Sequence, residues 1–127
     1  MLQRIKKRFD LTVDSPERTF SSTFELDKNV SAIYGLLVTS DRDDMLYYRG
    51  SQRIEINREE IFPDKYESKL LMSGLGVAPD ERFYSLGKLE PGNFKIKLDY
   101  TDTSHIAVAD FVIYRVSLYL DCELTEI

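Results

Sequence analysis

Tryptophan is absent from this 127-residue chain, and cysteine and histidine occur once each, as Cys122 and His105. A lone cysteine closes no intramolecular disulfide and forms no Cys–Cys redox pair. One histidine and one cysteine together cannot furnish most zinc sites or a multi-histidine metal centre. No apolar run approaches the ~20 residues that cross a bilayer, so no membrane span is expected. The positively charged N-terminus is followed by the mixed stretch Phe9-Asp10-Leu11-Thr12, not by the apolar core of a signal peptide, so synthesis in a cytoplasm is expected.

What remains is ordinary globular material, with 43% hydrophobic and 31% charged residues. The length suits one domain, residues 1–127, burying roughly 65–70% of the surface its unfolded chain exposes. The net charge is -5, which disfavours bulk nucleic-acid binding. Arg4, Lys6, Lys7 and Arg8 form a basic N-terminal patch. With those four cations set aside, the net charge of -5 becomes -9 for the rest of the chain. Such a patch can reach an anionic partner, including a weak nucleic-acid contact, or can simply be the solvated face of a terminal strand.

The dominant hydrophobic period is two. Ile5, Lys7, Phe9, Leu11 and Val13 alternate with Lys6, Arg8, Asp10 and Thr12, and Phe94, Ile96, Leu98 and Tyr100 alternate with Lys95, Lys97 and Asp99. Further strands are expected at Phe20–Leu26, Val30–Thr39, Met45–Tyr48, Arg53–Asn57 and Arg82–Leu86. A long strand from Val112 to Leu124, apolar on both sides for half its length, is expected at the centre of a sheet. Turn signals such as Ser15-Pro16, Asp27-Lys28-Asn29 and Glu90-Pro91-Gly92-Asn93 separate them. The pattern predicts an all-β, antiparallel sandwich or barrel. Asp64–Met72 reads equally as a strand or as one short helical turn. Cys122 falls on the apolar phase and reads as a core filler.

Few groupings suggest chemistry. His105 lies in an inter-strand loop beside Ser104, with nothing in sequence to orient its imidazole. The acidic loop Ser40-Asp41-Arg42-Asp43-Asp44 has oxygen ligands for Ca²⁺, but Arg42 competes for them and a solvated hairpin loop is the simpler reading. The carboxylate pairs Glu59-Glu60 and Asp80-Glu81 point apart or into solvent in extended chain, unlike a glycosidase pair. Ser73-Gly74-Leu75-Gly76-Val77 lacks the Gly-Lys-Ser/Thr of a P-loop. No catalytic, metal or cofactor site is therefore assigned. Tyr47-Tyr48-Arg49 and Arg82-Phe83-Tyr84, read as strands, each place one aromatic outward near an arginine. Tyr47, Tyr48, Arg49, Arg82 and Tyr84 are accordingly the candidate interface residues.

Tyr47–Ser51, Arg53–Asn57, Glu60–Pro63, Lys69–Met72, Pro79–Phe83 and the closing Tyr114–Leu120 resemble small bacteriophage and prophage proteins. The resemblance implies a jelly-roll-like sandwich serving as a virion component, whether capsid, vertex or accessory protein. It also implies self-association as a trimer or pentamer, contact with other virion proteins and assembly in a bacterial host. Some members of that kind carry a basic N-terminal arm, which Arg4, Lys6, Lys7 and Arg8 match in charge only. The function expected is non-enzymatic assembly. The alternative is a carbohydrate- or small-ligand-binding sandwich using surface tyrosines and the Asp41–Asp44 loop.

Overall fold

The computed structural model describes residues 2–73 and 82–125. The glycines of the 73–77 stretch and the Asp80-Glu81 pair lie outside the described residues. Alternating apolar side chains generate eight strands, because period two puts every second residue on one face. They are β1 (Leu2–Val13), β2 (Thr19–Glu25), β3 (Val30–Ser40), β4 (Gly50–Ile56), β5 (Glu59–Glu67), β6 (Tyr84–Leu89), β7 (Lys95–Asp102) and β8 (Tyr114–Thr125). One helix, α1 (Asp43–Arg49), joins β3 to β4, and a single 3₁₀ turn, Ser68–Leu70, follows β5.

The strands form two four-stranded sheets, in the orders β1-β8-β3-β6 and β2-β7-β4-β5. Four of the antiparallel pairs are nested: β1 with β8, β2 with β7, β3 with β6, and β4 with β5. The chain is thus one long hairpin, rolled so that β3 also meets β8 and β4 also meets β7. This is a jelly roll. As expected from its two-sided apolar pattern, β8 is central.

The inward phases meet in one core. Val13, Leu36, Val38, Val116, Leu118 and Leu120 from the first sheet pack against Ile54, Ile56, Phe62, Ile96 and Leu98 from the second. Cys122 is buried there, and desolvation pushes its thiol up to about 11. Phe9 and Phe24 stack at 4.8 Å and close the side between β1 and β2. The edge strand β5 is blunted by a bulge. Pro63-Asp64-Lys65 lie opposite Arg53 alone, and Lys65 has φ +59°. Pro63 brings no N–H to the edge, and such bulges discourage edge-to-edge pairing.

Two expectations need correction. Met45–Tyr48 is helix, not strand, because Met45, Leu46 and Arg49 bury one helical face while Asp43 and Asp44 occupy the first turn, where the helix dipole favours them. The acidic stretch is accordingly the lead-in to α1, not a hairpin loop. Arg42 pairs with Asp44, and Asp41 accepts the Arg115 N–H at 2.8 Å. Segment 64–72 divides between its two readings, with Asp64–Glu67 completing β5 and Ser68–Leu70 the 3₁₀ turn. Among the described residues, no helix is long and apolar enough to cross a membrane.

The far end of the rolled hairpin is the two-residue turn Asn57-Arg58, with both φ values positive at 55° and 64°. That combination marks a type I′ turn, in which glycine suits the second position. Asn57 Oδ1 accepts the Asn93 N–H at 3.0 Å, and a Cβ on Gly92, itself at φ +54°, would collide with the Asn57 side chain. Urea denaturation should show Arg58→Gly gaining about 0.5–1 kcal/mol as left-handed strain is relieved, and Gly92→Ala losing more than about 1 kcal/mol.

Candidate functional site

The connections β1–β2, β3–β4, β5–β6 and β7–β8 all emerge at one end of the sandwich, since Val13 pairs with Tyr114, Ser40 with Val116, Thr19 with Thr101, and Gly50 with Asp102. Beneath them lies a buried polar cluster. Arg49, from the last turn of α1, is 2% exposed, and Asp102, the last residue of β7, is 1% exposed. The guanidinium bonds the carboxylate through Nη2–Oδ2 at 2.8 Å and Nε–Oδ1 at 3.2 Å. Its Nη1 donates to the Val108 carbonyl at 2.9 Å, and Phe111 lies over it with 5.6 Å to the ring centroid. The Tyr114 hydroxyl donates to Asp102 Oδ1 at 2.6 Å and shares a 2.8 Å bond with the Tyr100 hydroxyl. The Glu17 N–H completes the set, reaching Asp102 Oδ2 at 3.0 Å.

Burial works against the Asp102 charge, but Arg49, Tyr114 and the Glu17 N–H outweigh it and hold the carboxyl below its usual range. The Asp102 carboxylate in turn raises Arg49 through their hydrogen bonds. Burial drives the Tyr100 and Tyr114 hydroxyls well upward, so both remain protonated donors. No described side-chain nitrogen or oxygen that is buried lacks a hydrogen-bond partner. The cluster is closed to solvent and ties α1 to β7, β8 and the β7–β8 loop as a clamp.

Over the clamp opens a basin of about 510 Å³. Its walls are α1, the ends of β4 and β5, the 3₁₀ turn and residues 103–105. Tyr47 and Tyr48, exposed on α1, meet edge to face at 4.9 Å, and Tyr48 lies 5.2 Å from the His105 ring. His105 Nδ1 accepts the Ala107 N–H at 2.9 Å, which leaves the proton of the neutral ring on Nε2. Lys69 pairs with Glu67 at 3.4 Å, while Lys65 has no hydrogen-bond or ion-pair partner among the described residues. Gly50 lies in the floor, where a Cβ would collide with the Tyr100 hydroxyl and the Leu46 carbonyl.

The five candidate interface residues divide three ways. Tyr47 and Tyr48 come together in the basin, both exposed because they share the outer face of a helix. Arg49 is a correction, since its side chain turns inward to Asp102 and offers no exposed contact. Arg82 and Tyr84 border a separate hollow of about 220 Å³ with Leu70 and Phe83, and the Tyr84 ring packs edge to face on Phe62 at 5.3 Å. The basic patch is matched locally: Arg4 and Lys6 pair with Asp121, Lys7 with Asp27, and Arg8 with Asp10. Among the described residues, no group of three or more His, Cys, Asp or Glu could hold a metal ion.

Asp102, Tyr114, Lys65 and Lys69 were not among the sequence candidates. Asp102 had a signal, because it continues the apolar phase of Ile96, Leu98 and Tyr100, and a carboxylate there must find a buried partner. Lys65 had none, since its position depends on the bulge. No protein-family model, curated protein or solved structure matches the chain.

Breaking the clamp from one side strands a buried charge. Arg49→Met or Asp102→Ala should each cost about 3–5 kcal/mol in urea denaturation, with the Arg49→Met/Asp102→Leu pair costing less than the two singles combined. Because the folded-state pKa of Asp102 is depressed, its stabilisation is fully present above the unfolded value of about 3.9 and is lost as pH falls through the folded value. A pH series should therefore show wild type losing stability below about pH 4, and Asp102→Asn losing less over the same interval.

Proposed function

We propose that the chain is a non-enzymatic assembly protein, a bacteriophage virion component, whose jelly roll associates with copies of itself through the loop-bearing end. One observation carries this reading: where the exposed large apolar side chains stand. Among the described residues, Tyr47, Tyr48, Ile106, Val112 and Ile113 stand at that end, and Leu70 and Tyr84 line the separate hollow of about 220 Å³. Ile106 is 95% exposed and Ile113 64%. The outer face of the second sheet is polar by contrast, with Ser21, Thr23, Arg53, Glu55, Lys97 and Asp99. That of the first mixes Arg4, Lys6, Arg8, Asp10 and Asp121 with Tyr34 and Tyr119, each under an arginine. Apolar side chains gathered in one region mark an interaction surface, whereas scattered ones need no explanation.

The architecture adds weight without deciding the matter, since jelly rolls occur in viral capsids and also in lectins and cupins. The phage assignment rests on the resemblance in the middle and closing stretches of the chain. A closed ring of copies suits a surface confined to one end, because cyclic symmetry buries the same patch on every subunit.

Light scattering on the purified protein at micromolar concentration should show a trimer or pentamer. Ile106→Asp/Ile113→Asp should reduce it to monomer with an unchanged melting temperature, both side chains being exposed. A wild-type monomer with no copurifying partner, or an oligomer indifferent to these changes, overturns the reading.

A further inference from the structure

We propose that the basin beside α1 binds an acidic saccharide, a pyranose unit bearing a carboxylate or a phosphate. The proposal does not rest on the virion reading, and it takes the subunit contact to run through Ile106, Val112 and Ile113 and to leave the Tyr47–Tyr48 wall open. Its first support is size, since about 510 Å³ lies within the range of small-molecule sites. Its second is the character of the walls. Tyr47 and Tyr48 set two exposed rings edge to face, so they present differently oriented apolar faces and cannot sandwich one flat base between them. Ser51, Thr103 and Ser104 add hydroxyls that can both donate and accept, the complement of sugar hydroxyls.

Charge supplies the third support. The basin holds Lys65, Lys69 and the Nε2–H of His105 as donors, and Glu67 is already paired with Lys69. The Lys65 ammonium is the unmatched charge. It stands on the Pro63–Lys65 bulge at φ +59°, a left-handed conformation that glycine adopts without cost and lysine does not. On the rim of a cavity, an ammonium with no partner among the described residues is placed to meet an anionic group. Glu67 and the net charge of -5 disfavour a polyphosphate chain threading the same basin.

The walls are also held in place before any ligand arrives. Arg49 fixes the end of α1 through Asp102 and the 105–108 turn through the Val108 carbonyl, and Val108 N–H bonds the His105 carbonyl at 3.1 Å. The tyrosine wall and the histidine wall are thus set by one buried guanidinium, and preorganisation of that kind lowers the cost of binding.

Calorimetric titration of the full chain with trigalacturonic acid, glucose 6-phosphate, maltotriose and a short oligothymidylate tests this. Trigalacturonic acid or glucose 6-phosphate should bind at millimolar concentration or better, at least about ten-fold tighter than neutral maltotriose, and more weakly as salt is raised. Which of the two binds identifies the anion. Tyr48→Ala should weaken binding about ten-fold, and Lys65→Gly should weaken it similarly without lowering the melting temperature, because the strain leaves with the charge. Binding of neither acidic sugar, binding indifferent to both substitutions, or a preference for oligothymidylate overturns the proposal.

Discussion

The bidentate pair between Arg49 and Asp102 is the constraint on which the loop-bearing end depends. A guanidinium and a carboxylate so deeply buried are tolerated only when their remaining hydrogen-bonding capacity is filled. Here the Val108 carbonyl, the Tyr114 hydroxyl and the Glu17 N–H fill it. Each partner comes from a different segment, so satisfying one ion pair places the β1–β2 link, α1, the β7–β8 loop and the start of β8 together. The second hydroxyl, Tyr100, carries the network from the clamp into the apolar core. The same geometry excludes a side chain at Gly50, where helix passes into strand under the Tyr100 hydroxyl.

The rolled hairpin explains why such a clamp is needed. Every strand partner of β1, β2 and β3 is distant in sequence, β1 pairing with β8 across Leu2↔Thr125. Non-local pairing of this kind carries a large closure entropy and gives slow folding. The turn at Asn57-Arg58 is short and rests on the neighbouring Gly92-Asn93 turn. The opposite end carries longer connections, and among the described residues side chains such as Arg49 and Asp102 tie them together. That end is also where the exposed apolar residues and the basin lie, consistent with function residing on loops placed by a rigid sandwich.

The strands were largely legible because half-buried antiparallel sheets impose an apolar period of two, and β1, β2, β3, β4, β7 and β8 all display it. The central place of β8 followed from its apolar residues on both phases. Met45–Tyr48 misled because four residues are too short to separate period two from period 3.6, and only the joint burial of Met45, Leu46 and Arg49 separates them. Reading that segment as a strand placed Arg49 outside, when its guanidinium belongs to the core. For the basin, Tyr47, Tyr48 and His105 were visible as residues, but Lys65 and Lys69 were not, since a bulge and a 3₁₀ turn bring them in.

By itself the sequence determined the class of structure, the phase of the clearly alternating strands such as β1 and β7, and the absence of disulfide or multi-histidine chemistry, because these follow from residue type and local spacing. Tertiary structure alone decided the jelly-roll order, the inward turn of Arg49 and the matching of Arg4, Lys6, Lys7 and Arg8 by Asp121, Asp27 and Asp10. Those outcomes are pairings between residues up to 117 positions apart. Local periodicity says which face a side chain takes, but not which distant strand lies beside it, and charge neutralisation and burial depend on that neighbour.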